Sequence, residues 1–204
     1  MANTITAVEI VNQALVLLGA EPINSLADES AEANTANTLY PTCKAELLVR
    51  CPWRFAIKLA TLARSTFTPT DAKGVEQWDF AYRMPADMLR MRSVRGRPPY
   101  EIYGDLLYTN VDQVLIDYWR DCEEAELPPD FVKALANRLA ADMAVSITED
   151  RTRAEHYAVI AEDLIKRAIT TDLQARPEEP ANNATLLQVR MGGDSSVNND
   201  GTWR

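Results

Sequence analysis

Apolar positions three and four apart open the chain. Val8, Val11, Leu15 and Leu18 recur at the spacing of one helix face, Thr6 and Glu9 stand in the order of a capping box, and Gly19 with Pro22 supplies a stop signal. These signals predict a first helix over residues 6–18. A second helical pattern follows Asp28-Glu29-Ser30, puts Ala36, Leu39, Tyr40, Cys43 and Leu47 on one side, and ends near Arg50, ahead of Pro52. Pro41 interrupts it. A mid-helix proline loses a hydrogen bond and clashes with the preceding turn, at about 3 kcal/mol, so the pattern predicts a kink at Tyr40 or a restart with Pro41 in a first turn.

The period then changes to two. Trp78, Phe80, Tyr82 and Met84 fall on one face and Asp79, Ala81 and Arg83 on the other, and Val114, Ile116 and Tyr118 mark a further strand. Between them, Tyr100–Tyr103 and Leu106–Tyr108 flank Gly104-Asp105, the form of a hairpin with a two-residue turn that begins with glycine. Residues 55–120 are therefore expected to be mostly antiparallel sheet.

Leu127-Pro128-Pro129-Asp130 announces a third helix, Phe131 to Thr148, whose polar stripe of Lys133, Asn137, Arg138, Asp142 and Ser146 is narrow. Its apolar circumference is wider than one neighbouring helix covers, which predicts surface left for a partner. Asp150 can cap a fourth helix whose seam is Ala154, Ala158, Ala161, Leu164, Ile165 and Ala168, reaching to about Gln174, with Glu162 and Lys166 as an exposed pair four apart. From Arg176 the pattern gives way to Pro, Glu, Asn, Gly and Ser, a composition that does not offset its own ordering entropy, yet Leu186, Leu187, Val189 and Trp203 are set within it. An extended arm with isolated apolar anchors is the expected result, and the anchors are candidate partner contacts.

The chain has 204 residues, enough for one ordinary domain or two small ones. No apolar run approaches the roughly 20 residues of a membrane span, and the start of the chain lacks the basic-then-apolar pattern of a secretory leader, so the expectation is a protein cytosolic where it is made. Cys43, Cys51 and Cys122 are too scattered for a disulfide framework or a zinc site and read as reduced core thiols. Net charge is −9, but residues 50–97 carry +6 and the remainder −15, an asymmetry suited to a charged partner or to like subunits meeting through opposite faces.

Candidate chemistry is sparse. His156 is the single histidine, which removes any site that needs two imidazoles, and its place off the apolar seam reads as a solvated helix position. Asp121, Glu123, Glu124 and Glu126 lack calcium-loop spacing and lie just before a helix start, where acidic residues are favourable in their own right. Arg90, Arg92, Arg95 and Arg97, with Gly96 and Pro98 nearby, place cations at a strand end or loop tip and are candidates for a charged contact or a channel lining. Without a phosphate-binding glycine loop, a nucleophile elbow or a metalloprotease motif, the expectation is a non-enzyme with no cofactor and no metal.

The segments Asn12-Gln-Ala-Leu15-Val-Leu-Leu18-Gly19, Ile23-Asn-Ser25-Leu26, Pro52-Trp53-Arg-Phe55-Ala56 and Tyr82-Arg-Met-Pro85-Ala-Asp87-Met-Leu89-Arg90, in that order, followed by Leu127-Pro128 and an alanine-rich helix, carry a resemblance. Over about residues 5–175 the chain resembles the head-to-tail adaptor of short-tailed bacteriophages, the tail tubular protein A family. The resemblance implies a structural virion protein at the head-tail junction, assembled in the host cytoplasm. Its copies would form a ring, twelvefold in the family, between the portal protein and the tail nozzle protein, and continue the channel for double-stranded DNA.

The expected fold class is α+β. A four-helix bundle would be built from N-terminal helices (1–54) and C-terminal helices (127–175), with an inserted antiparallel β domain (55–126) and an extended arm (176–204). In such a ring the basic sheet region would face the acidic helical region of the next copy, and mostly acidic walls would let DNA slide. Other readings stay open: a DNA-binding packaging or completion factor, a connector of another phage class, or a tail-associated cell-wall hydrolase with Glu123 or Glu126 as its acid.

Overall fold

In a computed structural model that describes residues 5–66 and 78–174, the helix boundaries fall where the start and stop signals put them. Helix α1 (Ala7–Leu18) carries the full capping box: the Glu9 amide donates to Thr6 Oγ1 at 3.3 Å and the Thr6 amide to Glu9 Oε2 at 2.7 Å. Its last carbonyls, which no intrahelical amide can reach, all find donors. Ala20 and Gly19, the latter at φ +73°, donate their amides to Leu15 and Val16, while the Tyr157 hydroxyl and Arg153 Nη1 donate to Leu17 and Leu18.

Helix α2 (Ala31–Arg50) is capped by Ser30 Oγ at 3.1 Å and is one helix with Pro41 inside it, not two with Pro41 in a new first turn. The reason is burial on both sides of the proline. Ala33, Ala36 and Tyr40 before it and Cys43, Leu47 and Leu48 after it all enter the core, and that packing outweighs the ~3 kcal/mol local penalty. Two indoles finish this end of the helix: Trp53 Nε1 donates to the Leu47 carbonyl at 2.8 Å and Trp119 Nε1 to the Cys51 carbonyl at 2.9 Å.

The inserted region forms two antiparallel sheets. One orders its strands β1 (Ile57–Thr61), β7 (Leu115–Arg120), β4 (Met88–Val94), and the other β2 (Ala63–Arg64), β3 (Phe80–Arg83), β6 (Leu106–Thr109), β5 (Tyr100–Tyr103). Leu62, between β1 and β2, is buried and donates its amide to the Val114 carbonyl at 2.9 Å, so one extended stretch passes from the first sheet to the second. Val94, Ile116 and Tyr118 from one sheet pack with Tyr82 and Leu107 from the other, which makes a second apolar core. The hairpin forms as expected, with Tyr103 opposite Leu106 and Gly104 at φ +61°. The strand expected from the Trp78–Met84 pattern is confined to Phe80–Arg83, and the alternation fails there because Ala81 is buried as well as Tyr82.

A 3-10 turn, Glu124–Glu126, leads into α3 (Pro129–Thr148), and α4 (Arg151–Gln174) follows Asp150, whose Oδ1 accepts the Thr152 and Arg153 amides at 2.9 and 3.2 Å. Ile10 and Leu15 of α1, Leu47 and Leu48 of α2, Leu135, Leu139 and Met143 of α3, and Ile165 of α4 share one core. Little of the surplus apolar surface expected of α3 is exposed. Eleven of its residues are buried, Asn137 among them, because α1 and α2 both pack on it; of its large apolar side chains only Val145 is exposed, at 52%. The architecture is α+β with antiparallel sheets. The chain divides into two compact units, Met1–Asp172 and Leu173–Arg204, and of the second only Leu173 and Gln174 are described.

Candidate functional site

Strand β4 positions the basic run. Its pairing with β7 skips Leu89 and Arg92, and these two bulges give the strand an irregular edge from which Arg90 and Arg92 project exposed. Arg95 and Arg97 sit in the turn that follows, Arg97 at φ +50°. The four arginines are not equivalent. Arg95 Nε lies 2.9 Å from Asp117 Oδ2, its Nη2 donates to Oδ1 at 3.3 Å, and Ser93 Oγ adds a third bond to this buried carboxylate. Among the described residues the side chains of Arg90, Arg92 and Arg97 have no hydrogen bond or ion pair, so three cations remain for an external anion.

Three of the four acidic side chains are tied down by the chain's own cations, while the exposed Glu123 has no ion pair among the described residues. Lys44 Nζ, buried on α2, lies 3.0 Å from both Asp121 Oδ1 and Glu124 Oε1, and the Tyr40 hydroxyl donates to the same Glu124 oxygen at 3.1 Å. Burial, the largest single influence, would raise the Glu124 carboxyl, but the bond and charge of Lys44, a backbone bond and the Tyr40 hydroxyl together outweigh it and hold the group low; burial and the same carboxylate push the Tyr40 hydroxyl up. Glu126 forms a bidentate pair with Arg120, at 2.7 and 2.8 Å, which holds its carboxyl below the usual range, and its Oε2 accepts the Glu123 amide at 3.2 Å. A general acid for glycoside cleavage needs the opposite shift. Among the described residues no group of three or more His, Cys, Asp or Glu is placed to hold a metal ion.

Glu162 does not pair with Lys166 as its spacing predicts. Arg50 at the end of α2 takes it instead, in a fork at 2.7 and 2.6 Å, because a guanidinium from another helix offers two donors in one plane where the lysine offers a point charge. His156 is exposed beside the Tyr157 ring. Burial pushes the Cys43 thiol up to about 12 and the Cys122 thiol up to about 11; Cys51 is only half-buried and so is not the core thiol expected. The anchors Leu186, Leu187, Val189 and Trp203 lie outside the described residues.

Two apolar surfaces escaped the sequence reading. An open groove of about 960 Å³ runs between α1 and α3, with Val132 and Ala136 in its floor and Val16 and Leu17 exposed along its wall. The run Leu15-Val-Leu-Leu18 carried the signal, since four consecutive apolar residues encircle the last turn and cannot all face one core. The second surface is β5, an edge strand whose Tyr100, Ile102 and Tyr103 are exposed on alternating faces.

Fold and surfaces together define an α+β protein with antiparallel sheets, a cationic strand edge and two uncovered apolar patches. No protein-family model matches the chain, and no curated protein matches it significantly. No helix among the described residues is long and apolar enough to cross a membrane.

Proposed function

We propose that this protein is a structural virion component, a head-to-tail adaptor whose copies form a ring between the portal protein and the tail nozzle and continue the passage for DNA. The observation that carries the reading is where the resembling residues lie. Asn12 binds Ile23 through both its amide groups, Nδ2 to the carbonyl at 2.9 Å and Oδ1 from the amide at 2.8 Å. Trp53 closes the end of α2 and meets Phe131 of α3 edge-on at 5.2 Å. Asp87 accepts from Lys58 at 3.1 Å and from the Tyr118 hydroxyl at 2.9 Å. Each quoted segment thus supplies a joint between elements, and joints are what a shared fold would keep.

On this reading the helices from the two ends of the chain form a four-helix bundle with the β region inserted. The arm after residue 175 reaches a portal or a neighbouring copy. Arg90, Arg92 and Arg97 meet acidic surface of the adjacent subunit while DNA passes a mostly acidic wall. Mass by light scattering tests the proposal, with and without purified portal, on the full chain and on a chain ending at Gln174. The expected result is a ring-sized particle on the portal that the shortened chain forms poorly; indifference to portal overturns it. The three free arginines also favour a second reading, a DNA-binding packaging factor, for which duplex binding that falls steeply with salt would be the sign.

A further inference from the structure

A heterologous ring needs two different surfaces on one chain that fit each other, and the two apolar patches have that relation. One is concave: the α1–α3 groove, where Val16 is 66% exposed above the buried Val132 and Ala136. The other is the outer strand of the β5–β6 hairpin, where Tyr103 is 60% exposed and Tyr100 and Ile102 stand on the opposite face of the strand. Two of the four edge strands differ in a telling way. Strand β4 is blunted by two bulges and two exposed arginines, the devices that keep an edge from pairing, whereas β5 is in unbroken register with β6 and has neither bulge nor cation. A tyrosine buries ~150–250 Å² in all, of which Tyr103 still exposes 60% and Tyr100 40% for a partner to cover.

The charges on the two patches are of opposite sign. Glu101 of β5 accepts from Trp78 Nε1 at 3.1 Å and from the Tyr103 hydroxyl at 2.8 Å, yet no cation pairs with it among the described residues. In the groove, Lys133 has no carboxylate partner among the described residues, and Glu9 is engaged with the Thr6 amide in the capping box. We infer that the β5–β6 hairpin of one copy seats in the α1–α3 groove of the next, with Tyr103 against Val16 and Leu17 and Glu101 toward Lys133. The contact rests on the ring reading for its head-to-tail sense. Two grooves do not fill each other, so the contact is hairpin to groove; edge-to-edge pairing of two β5 strands is the competing arrangement.

The test uses two full-length chains in a Cys51→Ser background, one carrying Val16→Cys and the other Tyr103→Cys, treated with a short bis-maleimide. A product that joins the two variants in the mixture, with neither variant linking to itself, is the expected result. Self-linked chains of either variant, or a mixture that yields no joined product, overturn the contact. As a second measurement, Tyr103→Glu and Val16→Glu each return the particle mass in light scattering to that of the single chain; an unchanged mass, or a native chain that never exceeds monomer mass, also overturns it. A ring that assembles on portal while the mixture stays unlinked sinks this contact and leaves the adaptor reading standing. Linked copies indifferent to portal do the reverse.

Discussion

Replacing Trp53 is the most searching test of how this chain is held together, because one side chain does three things. It is 2% exposed, its indole donates to a carbonyl in the last turn of α2, and its ring packs against Phe55 at 5.8 Å and Phe131 at 5.2 Å. Trp53→Ala removes the ring and leaves a cavity, a change that costs about 3–5 kcal/mol in a site that cannot collapse. Trp53→Phe keeps most of the volume and orphans the Leu47 carbonyl, worth roughly 1–3 kcal/mol while that group stays buried. In a chain of this size 1 kcal/mol moves Tm by about 2–4 °C, so the alanine variant should melt roughly 6–20 °C below the native protein and the phenylalanine variant in between. Urea and thermal unfolding followed by far-ultraviolet circular dichroism measure both, with no reliance on tryptophan emission. An alanine variant within about 1 kcal/mol of native would refute the assignment of this residue as the joint between α2 and α3.

The arginine run should divide by stability. Arg90→Ala, Arg92→Ala and Arg97→Ala should stay within about 0.5 kcal/mol of native in urea unfolding, while Arg95→Ala, which strips the cation from buried Asp117, should cost about 1–2 kcal/mol. Equal losses from all four would contradict the pairing. Gly104 at φ +61° has no atom within 4 Å of an added Cβ, so Gly104→Ala should cost about 1–2 kcal/mol from backbone conformation alone, read as a lowered Tm. Arg50 and Arg120 hold the Glu162 and Glu126 carboxyls low, so the pairs add stability above the ordinary carboxylate value of about 4.3 that is lost as pH falls through the depressed folded values. Glu162→Gln should flatten the acid limb of the stability–pH curve, and an unchanged limb would show that the Arg50 fork is not formed in solution.

What could be read from the chain itself was whatever neighbours in sequence decide. Thr6 with Glu9, Ser30, Asp150 and Gly19 act within three or four residues, so helix ends were legible, and the Gly104-Asp105 turn was legible because its backbone demands a glycine. The order of elements and the α+β class followed from those punctuation marks and from the switch of period.

Partners distant in sequence were not legible. Pro41 was expected to kink α2 or restart it, and burial on either side keeps one continuous helix with no restart; Glu162 was expected to meet Lys166, yet Arg50, 112 residues away, takes it. The apolar girth of α3 was expected to face a neighbour and is instead enclosed by α1 and α2, while the uncovered surface appears on α1 and β5. Local hydrogen-bond geometry is a property of short stretches of sequence. Which apolar stripe covers which, and which charges end within 3 Å of each other, depends on how the elements stack, and only the tertiary structure decides that.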